Sequence, residues 1–178
     1  ADTWNVRAQR TLESFFKAYP SASVKVYSNS LPAHFFQKFV RAGYNVTIAP
    51  FDVHNLLPTG LPGNKWLSNI SQWSKSPHFY AHFADFLRFV LLYRYGGFYM
   101  DTDSVLLRPL HIWPSVALGT EKCDDPNLPF CQHLDFTGAD DNQLYYLPIG
   151  VLLITSEHPI LSKALSYFDS EYNPAIWP

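Results

Sequence analysis

The chain has 178 residues, of which 47% are hydrophobic and 16% charged, with a formal net charge of −2. This length and balance suit one compact domain with a buried core and exclude a disordered chain. Lysine and arginine total 13 against 15 acidic residues, and because no basic stripe is present we expect no nucleic-acid partner. The longest apolar runs are far too short for a membrane span, so we expect membrane association only through segments outside this sequence.

Helical and extended patterns alternate along the first half of the chain. The predicted elements are a helix over 4–18, a strand over 24–27, a helix over 32–42 and a strand over 44–49. The first helix is amphipathic, and its candidate buried positions are Val6, Leu12, Phe15 and Phe16. Residues 50–76 show no sustained periodicity, so we predict a long loop there.

The second half continues with a strong helical pattern followed by short apolar segments. We predict a helix over 77–95, strands over 97–100, 104–107, 116–119 and 149–155, and a final helix over 160–168. Helices and strands that alternate in this way favour an α/β layered domain with a mainly parallel sheet.

The chemically informative block begins on the helix over 77–95. Its apolar residues follow helical spacing and predict one buried stripe made of Phe83, Phe86, Leu87, Val90 and Leu91. Asp85 and Arg88 are one turn apart on a different face, so their side chains can be neighbours. Gly96-Gly97 predicts the end of the helix, because glycine accepts the left-handed conformation of a helix cap.

Asp101-Thr102-Asp103 follows the short apolar strand over 97–100. In an extended segment residues i and i+2 point to the same side, so we expect Asp101 and Asp103 to present two carboxylates together. Two close carboxylates repel unless a positive group lies between them. A divalent cation with a diphosphate satisfies that need, because Mg²⁺ and Mn²⁺ are held by one or two carboxylates together with phosphates and water. An isolated Asp-x-Asp is more often a solvated turn, so the prediction depends on its neighbours.

The block from Phe83 to Leu110 resembles the DXD sugar-binding region of retaining glycosyltransferases. The segments that carry the likeness are Phe83-Ala84-Asp85-Phe86-Leu87-Arg88 and Leu92-Tyr93-Arg94-Tyr95-Gly96-Gly97-Phe98-Tyr99-Met100-Asp101-Thr102-Asp103. The likeness is to α-1,4-glycosyltransferases that make galactosyl glycolipids, with yeast-type α-mannosyltransferases and glucosylating bacterial toxins as cousins. It implies a GT-A-like, Rossmann-type nucleotide-sugar-binding domain with a mainly parallel central sheet. Residues 1–178 would then be a single catalytic domain that is incomplete at its C-terminal end.

The resemblance implies a role for each matching residue. Asp103 would be the direct metal ligand, and Asp101 would contact ribose or sugar and the water shell of the metal. Asp85 and Arg88 would contact the donor sugar, and Arg88 also the diphosphate. The implied cofactor is Mn²⁺ or Mg²⁺. The implied partners are a nucleotide-sugar donor, UDP-linked in preference to GDP-linked, and a glycan or glycolipid acceptor, with retention of the anomeric configuration.

The chain departs from the family pattern at three places. Ala84 stands where the family usually has Ser, and Pro148 where it often has an Asn that contacts the sugar. The chain stops at Pro178, before the Gly-Pro segment with which the family closes its site. We therefore expect one further metal or phosphate ligand to be missing.

Two residue pairs outside this block have two interpretations each. Trp66 and Trp73 either form a platform for the acceptor sugar or anchor the segment over 50–76 in the core. His78 and His82 are spaced i, i+4 on a helix, as a metal-binding pair would be. Because no third ligand is evident, packed or exposed polar residues are the favoured interpretation.

Compartment signals are mild and point to the secretory pathway. Cys123 and Cys131 can close a small disulfide loop in an oxidising compartment, or stay free thiols. Asn45-Val46-Thr47 and Asn69-Ile70-Ser71 match the N-glycosylation pattern. With the family resemblance, they favour the Golgi lumen.

Two other functions stay open. Asp101-Thr102-Asp103-Ser104-Val105 after an apolar strand also fits a phosphatase of the haloacid-dehalogenase type, in which Asp101 attacks phosphorus. Lys122 and Asp140-Asp141 would be its partners, but that motif has no use for Asp85 and Arg88. The other alternative is a catalytically inactive relative that binds nucleotide sugars.

Overall fold

A computed structural model describes residues 4–110, 116–118, 121–122, 145–146 and 149–175. The helices in these ranges are α1 (Val6–Ala18), α2 (Gln37–Arg41), α3 (Val53–Leu56), α4 (Asn64–Ser68), α5 (Ile70–Trp73), α6 (Phe79–Tyr95) and α7 (Pro159–Ser170). The strands are β1 (Ser23–Tyr27), β2 (Asn45–Ala49), β3 (Gly97–Met100), β4 (Val116–Leu118), β5 (Glu121–Lys122), β6 (Tyr145–Tyr146) and β7 (Val151–Ile154). The chain is thus a mixed α/β structure, as the alternating patterns predict.

The N-terminal layer packs α1 against the parallel pair β1–β2. The pair is in register from Ser23 opposite Asn45 to Tyr27 opposite Ala49. Leu12 and Phe16 of α1 are buried against β2. The prediction that Val6 is buried is wrong, because its side chain is 72% exposed. Val6 is six positions from Leu12, about a third of a turn off the buried face.

The segment over 50–76 is not the predicted loop but contains the three short helices α3, α4 and α5. Each has four or five residues, so none is long enough to display helical periodicity in the sequence. Apolar side chains of this segment form a core cluster with residues of α6 and α7. The buried members are Val53, Leu56, Leu57, Trp66 and Leu67.

The prediction of a mainly parallel sheet is wrong for the described strands. Only β1–β2 is parallel, whereas β3–β7–β4 and β5–β6 are antiparallel. Gly97 at the start of β3 pairs with Ile154 at the end of β7. Antiparallel pairing puts the start of β3 beside the end of β7. Since α6 leads into β3 and α7 follows β7, both helices join the strand pair at this same end, and they pack together.

The remaining predicted elements agree in type, with two differences. Residues 104–107 are not a strand, because the Leu106 amide donates to the Ser14 hydroxyl of α1 (2.9 Å) rather than to a neighbouring strand. The helix predicted over 32–42 is helical only in α2, and turns precede it. No helix in the described ranges has the length and hydropathy needed to cross a membrane.

Candidate functional site

The candidate site forms where β3 runs back alongside α6. Gly96 and Gly97 reverse the chain with positive φ angles of 61° and 106°. A Cβ on Gly96 would lie 2.6 Å from the Ser156 amide nitrogen, so this position also needs glycine for space. From Gly97, Arg88 lies nine residues back along α6 and Asp101 lies four residues forward, just past the end of β3. At about 1.5 and 3.3 Å per residue these are similar distances, so the two side chains meet.

Arg88 is the centre of the site. Its side chain is 8% exposed, and Nη2 lies 3.0 Å from Oδ1 of Asp85 and 3.4 Å from Oδ1 of Asp101. Nη1 donates to the Ile149 carbonyl at 2.7 Å, and the guanidinium lies 4.7 Å from the Tyr99 ring centroid. Among the described residues its Nε has no hydrogen-bond partner. The Asp85–Arg88 pair is therefore buried and is not the surface ion pair that the helix spacing also permits.

Asp101 is held from three directions. Its amide donates to the Gly150 carbonyl at 2.8 Å, and the Tyr99 hydroxyl donates to Oδ1 at 2.5 Å. Arg88 approaches the same Oδ1. The carboxylate therefore has one oxygen bound to protein groups, while Oδ2 lies against Gly150.

The Asp101–Asp103 segment is a turn rather than the extended segment that the sequence argument assumed. The Ser104 amide donates to the Asp101 carbonyl at 3.2 Å, and Thr102 and Asp103 are both exposed. The same-side argument for a strand therefore does not apply. Both aspartates nevertheless line one open cavity of about 310 Å³, together with Asn5, Arg7 and Ala8.

A larger cavity of about 720 Å³ adjoins the first. It lies between β1 and the α6–β3 reversal, and Arg88 is among its lining residues. Ala8, Asp101 and Thr102 line both cavities. Asp101 therefore lies at their junction, with Asp103 on the side of the smaller one.

Burial changes the acid–base behaviour of this cluster. It raises the pKa of Asp85 to about 6; Arg88 lowers that pKa, and Asp101 raises it further. The pKa of Tyr99 is raised mainly by burial, against a lowering effect of Arg88 and with the hydrogen bond to Asp101 adding to the rise. Tyr99 therefore remains a hydrogen-bond donor to Asp101 at neutral pH.

The available donor set fits a hard divalent cation that brings its own additional ligands. No group of three or more His, Cys, Asp or Glu able to hold a metal is found in the part of the chain that the structure describes. Asp103 takes part in none of the ion pairs between described residues. Mg²⁺ and Mn²⁺ accept one or two carboxylates with phosphates and water, so Asp101 and Asp103 suit them when a diphosphate is bound.

Two residues that contact the Asp101–Asp103 turn could not be identified from the sequence. A Cβ on Gly150 would lie 2.9 Å from Oδ2 of Asp101, so only glycine lets the carboxylate lie there. Thr11 of α1 donates to the Thr102 carbonyl at 2.8 Å across 91 sequence positions. Neither contact has a local signal, because both depend on segments that only the fold brings together.

The tryptophans predicted as an acceptor platform differ in their placement. Trp66 is 1% exposed and stacks on Phe86 with ring centroids 4.5 Å apart. It therefore presents no surface to a sugar, in agreement with the alternative interpretation as a core anchor. Trp73 is half-buried and donates from its indole nitrogen to the Trp66 carbonyl at 3.0 Å.

The histidine pair on α6 also packs against the protein. His82 is 5% exposed, and its Nδ1 lies 3.0 Å from the Tyr172 hydroxyl. His78 and His82 have ring centroids 6.2 Å apart. This agrees with the packed interpretation.

Several sequence predictions fall outside the described residues. They concern Cys123, Cys131, Asp140, Asp141, Pro148 and Pro178, together with the side chain of Lys122. The choice between a disulfide and free thiols therefore stays open, and the phosphatase partners and the effect of Pro148 stay predictions.

Comparison with known proteins gives the site a family context. An Arabidopsis thaliana protein described as uncharacterized is 33% identical over 111 residues, covering 60% of this chain and 17% of its own length. The human alpha-1,4-N-acetylglucosaminyltransferase is 27% identical over 164 residues, covering 92% of this chain and 40% of its own length. The human lactosylceramide 4-alpha-galactosyltransferase is 24% identical over 175 residues, covering 94% of this chain and 42% of its own length. This chain thus spans less than half the length of each of these relatives.

A family model covers most of the region that builds the site. The model described as "Glycosyltransferase sugar-binding region containing DXD motif" matches residues 5–122, about two thirds of the chain. The match includes α1, the Asp85–Arg88 pair and the Asp101–Asp103 turn. The chain therefore belongs to the family of glycosyltransferase sugar-binding regions that contain the DXD motif.

Proposed function

We propose that this chain is the donor-binding core of a glycosyltransferase that moves a sugar from a nucleotide-sugar to a hydroxyl of a glycan or glycolipid. The observation that carries the proposal is the buried Arg88, which links Asp85 to Asp101 at the junction of two cavities. Asp103 is exposed and follows Asp101 in the same turn, with only Thr102 between them. Family membership supports glycosyl transfer as the reaction class.

The proposed roles follow from the charges and exposure of the four residues. Asp103 binds the metal directly, because it is exposed and makes no ion pair with another described residue. Asp101 contacts ribose or sugar and the metal's water shell, with one oxygen already held by Tyr99. Asp85 and Arg88 bind the donor sugar, and Arg88 also faces the diphosphate. A bound Mn²⁺ or Mg²⁺ would stabilise the charge that develops on the leaving diphosphate.

The bond changes require no enzyme nucleophile. The acceptor oxygen forms a bond to the anomeric carbon while the bond from that carbon to the diphosphate oxygen breaks. The proton of the acceptor hydroxyl passes to the leaving diphosphate. This route gives retention of configuration when both oxygens lie on the same face of the sugar. Arg88 would hold the departing group in place through charge-assisted hydrogen bonds.

The proposal extends to donor, acceptor, fold family and compartment. The names of two relatives specify transfer of N-acetylglucosamine and galactosylation of lactosylceramide, which supports a UDP-sugar donor in preference to GDP-mannose. It also supports a carbohydrate or glycolipid acceptor and the Golgi lumen. We assign residues 1–178 to one GT-A-like domain that forms part of the complete catalytic unit. Membrane association would then use other segments.

The phosphatase alternative has less support from the site. Its nucleophile would be Asp101, yet one oxygen of that carboxylate is engaged by Tyr99 and approached by Arg88. The buried Asp85–Arg88 pair would also have no role in that reaction. An inactive relative that binds nucleotide sugars would have the same site, so only a turnover assay distinguishes it from an active enzyme.

A thermal-shift screen tests the proposal. UDP, UDP-sugars, GDP and GDP-sugars are added with and without Mn²⁺, since a ligand that binds the native state raises the melting temperature. We expect a shift only when Mn²⁺ and one nucleotide class are both present, and no shift for Asp103→Ala. Asp52→Ala, which removes an exposed carboxylate that caps α3, is the matched control and should retain the shift.

This screen, together with assays of phosphomonoester hydrolysis and of sugar transfer, separates the alternatives. Metal-independent binding, or unchanged binding by Asp103→Ala, would contradict the metal assignment. Hydrolysis of a generic phosphomonoester by the wild type would support the phosphatase instead. Metal-dependent binding without sugar transfer in the full-length protein would identify an inactive relative.

A further inference from the structure

We propose that Thr11 of α1 is a positioning residue that holds the Asp101–Asp103 turn in the conformation that binds the metal–nucleotide complex. The inference rests on the proposed function and adds a component that comes from the N-terminal helix. It assigns a role to a buried hydroxyl group that the donor site itself does not explain.

The proposed role of Thr11 rests on a hydrogen bond between distant parts of the chain. Thr11 is 6% exposed, and its Oγ1 lies 2.8 Å from the Thr102 carbonyl oxygen. The same hydroxyl lies 3.3 Å from the Arg7 carbonyl within its own helix. A hydroxyl has a single proton to donate, and the shorter distance assigns it to Thr102.

The hydroxyl has a fixed position because α1 is capped at its N-terminus and packed into the core. The Asn5 side chain caps the helix by accepting from the Ala8 amide at 3.1 Å. Leu12 and Phe16 are buried in the N-terminal core. A bond from such a helix to an exposed turn restrains the turn rather than the helix.

Thr11 is the first of three α1-side contacts along the segment that follows β3. The Ser14 hydroxyl accepts from the Leu106 amide at 2.9 Å. The Tyr19 hydroxyl accepts from the Leu110 amide at 2.6 Å and donates to the Leu110 carbonyl at 3.0 Å. The segment over 102–110 is therefore held by hydrogen bonds to α1 and Tyr19, and these bonds take the role that pairing with a neighbouring strand would have.

Restraint of the Thr102 carbonyl affects Asp103 directly. That carbonyl belongs to the peptide plane shared by Thr102 and Asp103, so its orientation fixes the N–Cα bond of Asp103, from whose Cα the side chain branches. The opposite end of the turn is restrained by the bond from the Asp101 amide to the Gly150 carbonyl. A ligand set held on both sides loses less conformational freedom on binding.

The test compares the hydroxyl with its closest replacements. Thr11→Val keeps the side-chain shape and removes the donor, whereas Thr11→Ser keeps the donor. Thr47→Val is the matched control, because Thr47 is an exposed residue on β2; all variants are produced without N-glycosylation, since Thr47 belongs to a glycosylation pattern. Mn²⁺ is titrated calorimetrically with UDP or GDP, whichever nucleotide the wild type binds. Hydrogen exchange of the Ser104 amide is measured without metal.

We expect Thr11→Val to weaken Mn²⁺ binding by about threefold to tenfold, as the loss of one hydrogen bond predicts. The Ser104 amide, which closes the turn, should exchange roughly tenfold faster than in the wild type. Thr11→Ser should restore both values to within about a factor of two. Thr47→Val should match the wild type in both measurements.

If the wild type binds Mn²⁺ with a nucleotide and Thr11→Val shows the same affinity and the same exchange rate, the role of Thr11 is overturned. The proposed function would stand in that case. Equal weakening in Thr11→Val and Thr11→Ser would also overturn it, because the hydroxyl would then not be the cause. A wild type that binds no metal–nucleotide complex would instead overturn the proposed function, and the role of Thr11 with it.

Discussion

At the scale of single residues, Arg88 explains why the site needs arginine on α6. Its planar guanidinium reaches the Asp85 carboxylate, the Asp101 carboxylate and the Ile149 carbonyl at the same time. An ammonium group on a flexible stem cannot reproduce this fork. Because the side chain is almost fully buried, its charge must be balanced within the protein, and the two aspartates supply that balance.

Gly150 provides a prediction at the same scale. We expect Gly150→Ala to weaken Mn²⁺-dependent nucleotide binding, because the new Cβ would lie 2.9 Å from Oδ2 of Asp101 and displace the carboxylate. The stability loss should be small, about 1 kcal/mol. Calorimetric titration and urea unfolding measure the two effects separately.

Gly43→Ala is the control for Gly150→Ala. Its Cβ would meet nothing within 4 Å, but its φ of +91° disfavours any other residue. We expect Gly43→Ala to lower the free energy of unfolding by roughly 1 kcal/mol with unchanged nucleotide binding. Weakened binding in both variants would show that general destabilisation, and not the Asp101 contact, is the cause.

At the scale of elements, the α6–β3 reversal and the β7–α7 connection form one unit. The Glu157 amide donates to the Tyr93 carbonyl at 2.8 Å, and β3 pairs with β7 directly below this contact. The loop that precedes β7 supplies the Ile149 and Gly150 carbonyls to the site. Arg88 and Ile149, 61 positions apart, and Asp101 and Gly150, 49 positions apart, thereby become parts of one cluster.

Asp169 on α7 provides a prediction at this scale. Its carboxylate accepts from the Gly63 amide at 2.7 Å and the Trp66 amide at 2.8 Å, and so caps the short α4. We expect Asp169→Ala to lower the free energy of unfolding by about 1–3 kcal/mol, since two amides lose a charged acceptor. Urea unfolding measures the change.

The exposed cap of α3 serves as the comparison for Asp169. Asp52 accepts from the His54 amide at 3.0 Å within its own segment, so Asp52→Ala should cost only about 0.5–1 kcal/mol. Nucleotide binding should be unchanged in both variants. A cost for Asp169→Ala no greater than that for Asp52→Ala would contradict the idea that α7 holds α4.

At the scale of the whole molecule, Asp85 makes stability depend on pH. Burial raises its pKa from 3.8 to about 6, so the folded state binds a proton that the unfolded state has already lost. This contribution is fully present below about pH 4 and is lost as the pH rises through 6. Relative to Asp85→Asn, metal-free wild type should therefore lose roughly 2–3 kcal/mol between pH 4 and 7. Urea unfolding across this range measures the difference.

Glu13 provides the opposite sign in the same experiment. Hydrogen bonds from Gln9 and Arg10 lower the pKa of Glu13, so its contribution is present above its unfolded pKa and is lost as the pH falls. Relative to Glu13→Gln, the wild type should therefore lose stability as the pH falls, whereas relative to Asp85→Asn it should lose stability as the pH rises. A pH-independent difference in stability between wild type and Asp85→Asn would contradict the raised pKa of Asp85.

The amino-acid sequence by itself determined the elements whose signals are local. The spacing of Asp85 and Arg88 predicts adjacent side chains on one helix, and Gly96-Gly97 predicts the break after it, because helical periodicity and glycine's φ range need no distant partner. The longer elements α1, α6 and α7 were predictable for the same reason. With the resemblance around Asp101-Thr102-Asp103, these features were enough to identify the family.

Only the tertiary structure decided what lies between these elements. Antiparallel pairing of β3 with β7 is decided by contacts between segments far apart in the chain, and the turn at Asp101–Asp103 is held by bonds to Thr11 and Gly150. The burial of Arg88 and Trp66 likewise depends on α7 and β7, far away in the chain. Such contacts leave no periodic pattern, because each joins residues whose separation in sequence carries no information about their distance in space.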